Sequence, residues 1–218
     1  MISLSAYQQS PCSALSIPYW KAKAVAVPDH MRIVHTEDFD PSQWLGWSDT
    51  PYFRLYHSLE HIPWAEAEGY AVRTATRADD AVIAEIINRS YSDISVDLTQ
   101  ITRMTKTPAF CPDLWIIVLD KTSDLPVGCG IADFDPEAGE GILEWIQVLP
   151  GYRGRGIGKM IVQELLRRMR GRAQFATVSG QCNNPTNPER LYRGCGFEGN
   201  DVWHILYKKS GETIGKNP

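Results

Sequence analysis

The sequence predicts a mixed α/β (α+β) domain, a mostly antiparallel sheet flanked by helices with one parallel strand pair. Three observations predict it. From Tyr70 onward, apolar runs of strand length alternate with amphipathic stretches of helix length. Two of the runs, "LWIIVLD" and "LPVGCGIADFD", are joined across a short turn near residues 122–124, a hairpin arrangement. Two later runs are separated by the helical stretch "KMIVQELLRRMR", and a crossover of that length makes them parallel neighbours.

In chain order, residues 1–30 carry few periodic signals, and "MRIVH" marks the start of ordered structure. The following stretch is rich in aromatics: Phe39, Trp44, Trp47, Tyr52, Phe53, Tyr56 and Trp64. Rings of this kind bury large areas, so residues 1–68 are expected to form a small layer or lid packed on the main domain, with Gly69 as the joint. "YAVRTAT" alternates and reads as a strand. "RADDAVIAEIINRSY" then places Val82, Ile83, Ile86, Ile87 and Tyr91 on one helical stripe, with Thr76 as N-cap. "LTQITRMTK" is a second, weaker helix; the hairpin follows, and "GILEWIQVLP" is a further strand. After the glycine-rich junction and its helix come the strand "QFATVSGQ" and a short helix in "NPERLYRGCG". That helix has Asn187 as N-cap, Pro188 at the first helical position, and Gly194 or Gly196 at its end. "VWHILYKK" is the final strand, and residues 211–218 read as a polar tail. The domain proper is thus expected over 69–210.

Composition narrows the function classes. The chain has 218 residues and a net charge of -4, which argues against a nucleic-acid partner. No apolar run approaches the ~20 residues that cross a bilayer, so no membrane partner is expected. The first twenty residues lack early Lys or Arg and a continuous apolar core, so they do not read as a secretory signal, and a cytoplasmic location is expected. The five cysteines form no C-x-x-C pair, which points to reduced thiols rather than disulfides or zinc. Asp133, Asp135 and Glu137 lack the spacing of a calcium loop and are expected in a solvated turn; no metal site is expected.

The junction "LPGYRGRGIGKMIVQELL" carries the chemistry. Walker A spacing fails, because Gly158-Lys159 is followed by Met160. The dinucleotide fingerprint fails, because Gly158 comes one residue too soon after Gly154 and Gly156. What remains is physical: glycines that admit a ligand close to the backbone, a helix N-terminus with unpartnered N–H groups, and the charges of Arg153 and Arg155. Together they describe an anion site suited to a pyrophosphate; a tight strand-to-helix turn with no ligand is the alternative.

These residues resemble motif A of the GNAT acyltransferase superfamily, [QR]-x-x-G-x-[GA], with Arg153, Gly156 and Gly158 at its fixed positions. "NPERLYRGCGF" resembles motif B through Leu191, Tyr192, Gly196 and Phe197. The resemblance spans roughly residues 70–208. It implies a sheet whose two parallel strands, 141–149 and 174–180, splay apart to bind acetyl-CoA as cosubstrate. The pyrophosphate would rest on the N–H groups of Arg153, Gly154, Arg155, Gly156, Ile157 and Gly158. The pantetheine would pair with the backbone near Gln147 and Val148, one of whose N–H groups would polarise the acetyl carbonyl. Tyr192 would protonate the departing thiolate, unless it is a core aromatic. Asn187 would touch the pantetheine or only cap its helix, and Asn184 competes for that place. Glu144 is the candidate base if a bulge turns it to the face of Gln147; Glu140 lies at the start of the same strand. His204 is another possible base or a packed strand residue. Cys195, with no activating partner nearby in sequence, reads as a small buried residue. The acceptor would be a primary amine of a small molecule or peptide, received by Tyr91, Asp93, Asp97 and Trp203. A homodimer is left open. Two other classes stay open as well: an acyl-CoA sensor without transfer activity, and a nucleotide-binding protein, which both spacing failures disfavour.

Overall fold

The computed structural model describes residues 2–63, 66–90 and 94–208. Trp64, Tyr91, Asp93 and the tail 211–218 lie outside the described residues. Three short helices open the chain: α1 (Leu4–Gln9), α2 (Pro11–Ala14) and α3 (Tyr19–Ala24). At four to six residues, none is long enough to show a helical period in the sequence. Two strands follow, β1 (Met31–His35) and β2 (Trp47–His57). Then come β3 (Tyr70–Thr74), α4 (Asp80–Ser90), α5 (Leu98–Met104), β4 (Phe110–Asp120), β5 (Pro126–Asp135) and β6 (Glu140–Val148). The chain ends with α6 (Ile157–Met169), β7 (Phe175–Gln181), α7 (Pro188–Arg193) and β8 (Glu198–Lys208).

All eight strands form one sheet in the order β1-β8-β2-β7-β6-β5-β4-β3. Every neighbouring pair is antiparallel except β6 and β7. Residues 31–35 and 47–57, expected within a separate layer or lid, are therefore strands of the sheet itself. β2 lies between β7 and β8 and pairs with both, Tyr52 facing Gln181 on one side and Trp203 on the other. It alternates as an interior strand must: Phe53 and Leu55 enter the core shared with α6, while Tyr56 turns to the opposite face.

Each face of the sheet carries its own core. On one side α6 and α7 cover Leu114, Ile116, Val118, Ala132, Leu143, Ala176 and Val178. On the other, α4 and α5 bury Ile83, Ile86, Ile87 and Ile101 against Trp115, Ile117, Cys129 and Ile131. The N-terminal helices extend this second layer, packing Tyr7 and Tyr19 on Phe175 and Ala138. The expected caps are present: Thr76 and Asp79 form a capping box before α4, and Asp97 with Gln100 forms one before α5.

Beneath α1 the sheet holds a buried ion pair. Arg54 is 1% exposed and Glu140 0%. Arg54 Nη2 donates to Glu140 Oε1 at 3.0 Å and to Tyr7 Oη at 2.8 Å; Tyr7 Oη and Thr177 Oγ1 donate to the same carboxylate at 2.8 and 2.5 Å. Burial this deep is tolerable only because every charge finds several partners. The network ties α1, β2, β6 and β7 together, and it commits Glu140 to structure. No helix of the described residues is long and apolar enough to cross a membrane.

Candidate active site

The site begins where β6 stops pairing. Its register with β7 runs only from Glu140–Phe175 to Leu143–Val178, yet β6 continues to Val148 and β7 to Gln181. Beyond Leu143 the two parallel strands part. The other edge of each remains paired, β6 with β5 through Val148 and β7 with β2 through Gln181. The result is a one-sided slot along the edge of β6, with Gln147 and Val148 at its upper end.

A bulge sets which side chains face which side. Ile131 pairs with Trp145 but Ala132 pairs with Leu143, leaving Glu144 as the extra residue. The alternation therefore breaks. Leu143, Ile146 and Val148 pack toward α6, whereas Trp145 packs with the α4–α5 core, where Gln147 is registered opposite Cys129. Glu144 thus shares the face of Gln147, the condition its candidacy as base required.

At the top of the slot the chain turns into α6 through a 3₁₀ turn, Pro150–Tyr152, and the glycine loop. Gly154 and Gly156 have φ of +77° and +82°, a left-handed conformation that only glycine enters freely. Gly156 is the N-cap of α6 and offers no side chain to the N–H groups that follow. Its carbonyl accepts from Met160, but among the described residues the N–H groups of residues 154–159 meet no acceptor. A Cβ on Gly154 would touch nothing within 4 Å, so the space beside that glycine is open. Left-handed glycines and a bare helix N-terminus build a nest for an anion. The residues therefore fit a diphosphate.

The two arginines frame this nest rather than point freely from it. Arg153 donates to the carbonyls of Val148 and Ser90, both at 3.1 Å, clamping the loop to β6 and α4. Arg155 donates to Tyr70 Oη at 3.2 Å and the Gly151 carbonyl at 3.0 Å, with its guanidinium 5.1 Å from the Tyr152 ring centre. Their charge lies at the rim while their geometry is fixed by the protein.

α7 closes the site from the α6 side. Asn187 sits in the left-handed region, φ 47°, and caps α7 by accepting from the Arg190 N–H at 3.3 Å. Asn184 instead accepts from the N–H and hydroxyl of Thr186. Leu191 lies against Gly158, where an added Cβ would come within 3.3 Å of it, so the two expected motifs pack directly on one another. The next residue, Tyr192, is 8% exposed, its ring 6.2 Å from Phe53 and 5.9 Å from Phe197. Cys195 is fully buried, and burial pushes its thiol up to about 11, which leaves no thiolate for nucleophilic attack.

The opposite face of the sheet holds the carboxylates. Glu144 forms an ion pair with Lys21 of α3. Asp133, expected in a solvated turn, is instead part of β5 and only 7% exposed, because the strand runs on to Asp135 before the chain turns. Asp135 is buried as well and accepts from the N–H groups of Glu137 and Ala138, so the acid-rich sequence turns only after it. Burial, and then the negative charge of Glu144, push the Asp133 carboxyl up to about 7, against a smaller opposing pull from Lys21.

Two expected acceptor residues and the possible base His204 are engaged elsewhere. Asp97 caps α5, and Trp203 Nε1 donates to the Cys12 carbonyl at 2.8 Å. His204 stacks on Phe39 at 3.7 Å and bonds Asp49, near the β1 end of the sheet. Sequence reasoning missed Lys21 and Arg54 as well as Asp133. Lys21 belongs to a helix too short to recognise, and Arg54 is a charge that sequence patterning assigns to the surface.

Comparisons with known proteins agree with this geometry. The Acetyltransferase (GNAT) family description matches residues 38–197, well over half of the chain, and takes in β2. A GCN5-related N-acetyltransferase from Sphaerobacter thermophilus superposes with a TM-score of 0.67 at 20% identity, over 89% of this chain and 65% of that one. This chain therefore spans less than two thirds of that protein's length. Ard1 from Thermoplasma volcanium gives a TM-score of 0.52 at 13% identity, over 66% of this chain and 99% of its own. A chain of the NatC complex bound to Gag peptide and CoA gives 0.53 at 20% identity, over 65% and 99%. No curated protein sequence matches the chain significantly. Shared fold, the matched span and the glycine loop at the head of a splayed parallel pair lead to one statement: the chain belongs to the GNAT acetyltransferase family.

Proposed function

We propose that the protein transfers the acetyl group of acetyl-CoA directly to a primary amine of a small molecule or peptide. The observation that carries this reading is the run of unpartnered N–H groups over residues 154–159, set where β6 and β7 part. A diphosphate bound there would run its pantetheine down the free edge of β6, adding backbone hydrogen bonds as an extra strand does. Gly154, Arg155, Gly156, Ile157 and Gly158 would hold the diphosphate through their N–H groups; Arg153, whose own N–H donates to the Pro150 carbonyl at 3.3 Å, would add charge at the rim, and Gln147 and Val148 would hold the pantetheine. A β6 N–H in that stretch would donate to the acetyl oxygen and stabilise the oxyanion that forms on attack.

Placement supports the remaining roles. Tyr192 follows Leu191, which packs on Gly158, and a phenol keeps its proton near neutrality; it would supply that proton to the departing thiolate. Asn187 would act through the cap it gives α7, holding Tyr192 in place. Glu144 would put negative charge on the acceptor side, where an amine arrives protonated. The CoA and peptide named for the NatC chain support this choice of cosubstrate and a peptide as one acceptor class.

The test is release of CoA, read with a thiol reagent, across a panel of small primary amines and peptide N-termini. Turnover with at least one amine is expected. Tight acetyl-CoA binding with no turnover on any of them would instead make the protein a sensor.

A further inference from the structure

We propose that Asp133 is the group that takes the proton from the incoming amine, with the acceptor received on the sheet face bounded by α3, the β6 bulge and Trp115. The proposal rests on the acetyl-transfer reading and adds to it the residue that makes the amine nucleophilic.

Four carboxylates lie on this face or at its lower edge, and three of them are committed. Glu140 is held by Arg54, Tyr7 and Thr177. Asp135 closes the β5–β6 turn through its Oδ1, which accepts from the N–H groups of Glu137 and Ala138, while its Oδ2 is enclosed without a partner among the described residues and out of an acceptor amine's reach. Glu144 is paired with Lys21. Asp133 is more than nine-tenths buried and accepts no hydrogen bond among the described residues. Unlike Asp135 Oδ2, its oxygens are not fully enclosed, so an acceptor amine can reach them, and carboxyls perturbed in such a position are commonly functional.

Its position suits the task. Asp133 is registered opposite Ile142, and Ile142 opposite Thr177, one rung below the point where β6 and β7 part. The charged groups that bear on it are Glu144 from β6 and Lys21 from α3, with Asp135 two residues along its own strand; β4 presents Phe110 opposite it. Lys21 shows what the face accepts: a primary ammonium seated on Glu144, with the Trp20 ring centre 5.5 Å away. The indole N–H groups of Trp20 and Trp115 are buried and have no partner among the described residues, and Trp115 is registered two residues from Asp133 along β5.

The substrate ammonium gives one proton to the Asp133 carboxylate, which becomes a carboxylic acid. The freed lone pair attacks the thioester carbonyl carbon of acetyl-CoA, forming the N–C bond. The adduct collapses, the C–S bond breaks, and its electron pair leaves on sulfur. The thiolate takes a proton from Tyr192, which is restored by the second proton lost from nitrogen. Asp133 then returns its proton to water.

The test compares Asp133→Asn, Glu144→Gln and Lys21→Met with the unaltered protein. Acetyl-CoA affinity is measured by calorimetry and kcat/KM for an accepted amine is followed from pH 5 to 9. Asp133→Asn should bind acetyl-CoA with unchanged affinity, lose about 10²-fold or more in kcat/KM, and lose the acid limb near pH 7. Glu144→Gln should move that limb to lower pH, and Lys21→Met should move it to higher pH, because each removes a charge acting on Asp133. Those opposite shifts test the proposal even if Asp133→Asn folds poorly. Retention of both rate and limb by Asp133→Asn, or loss of the limb in Glu144→Gln, overturns it. Failure of the unaltered protein to acetylate any amine while binding acetyl-CoA overturns the transfer reading itself, and this proposal with it.

Discussion

Replacing Gly156 with Glu separates the stability of the glycine loop from its binding function. Gly156 has φ +82°, and a Cβ there meets only the Ala67 Cβ at 3.9 Å, an ordinary contact. The internal cost is therefore backbone strain, about 1–2 kcal/mol for an L-residue in the left-handed region. A carboxylate at a helix N-terminus returns about 0.3–1 kcal/mol of that. The net loss is near 1 kcal/mol, a fall in Tm of about 2–4 °C for a chain of this size. The effect on the ligand is larger. A carboxylate about 4 Å from one phosphate charge costs about 1 kcal/mol in water and about 4 kcal/mol at an effective dielectric of 20. Against the two charges of a diphosphate the loss is at least about 2 kcal/mol, or roughly 30-fold in Kd. Gly171→Ala is the matched control: Gly171 has φ +81°, its Cβ would meet nothing within 4 Å, and it lies just past the C-terminal end of α6, far along the helix from the loop. Isothermal titration of acetyl-CoA, with a thermal melt of each variant, reads both quantities. Gly171→Ala should lose a similar Tm and keep its affinity. Unchanged acetyl-CoA affinity in folded Gly156→Glu would refute the assignment of the loop.

Three further outcomes are expected. Glu140→Gln should lose about 3–5 kcal/mol in urea denaturation, since it strands Arg54 in the core, whereas Arg54→Met with Glu140→Leu should cost far less; a single-variant loss under about 1 kcal/mol would mean that water reaches the pair. Tyr192→Phe should lower kcat about 10²-fold with little change in acetyl-CoA affinity, and equal rates would remove Tyr192 as the acid. The Arg73 guanidinium beside Asp79, at 2.6 Å, holds its carboxyl well below the usual carboxylate range, with help from the Thr76 N–H and hydroxyl. A folded-state pKa below the unfolded value of about 3.9 contributes stability that is complete above it and is lost as pH falls through the folded value. Asp79→Ala should thus cost about 1 kcal/mol at pH 7 and progressively less below pH 4, and a gap independent of pH would argue against the pairing.

The glycine loop, α6, α7 and the hairpin strands were legible because their signals are local. Gly154 and Gly156 are needed where φ is positive, Asn187-Pro188 announces a helix start, and Thr76 with Asp79 closes a capping box within four residues. β2 was not legible as an interior strand. Pro51 interrupts its first half, Arg54 breaks its apolar alternation, and its partners lie 119 or more residues later in the chain, a distance over which sequence patterning carries nothing. Asp133 was misplaced for a related reason. "ADFDPEAGE" reads as one acidic turn, but the strand persists to Asp135, so an acid inside a strand is indistinguishable in sequence from one beside it. The bulge at Glu144 leaves no local mark either; the strand reads as continuous, and only the register against β5 reveals the extra residue.

Acetyl transfer by this protein depends on a diphosphate resting on the N–H groups between Gly154 and Lys159. A crystal structure of the protein grown with saturating acetyl-CoA tests it most directly. Phosphate oxygens are expected within hydrogen-bond distance of several of those N–H groups, with the pantetheine running along β6 toward Glu144. Coenzyme bound elsewhere on the protein, with that nest filled by the chain's own side chains, would contradict it.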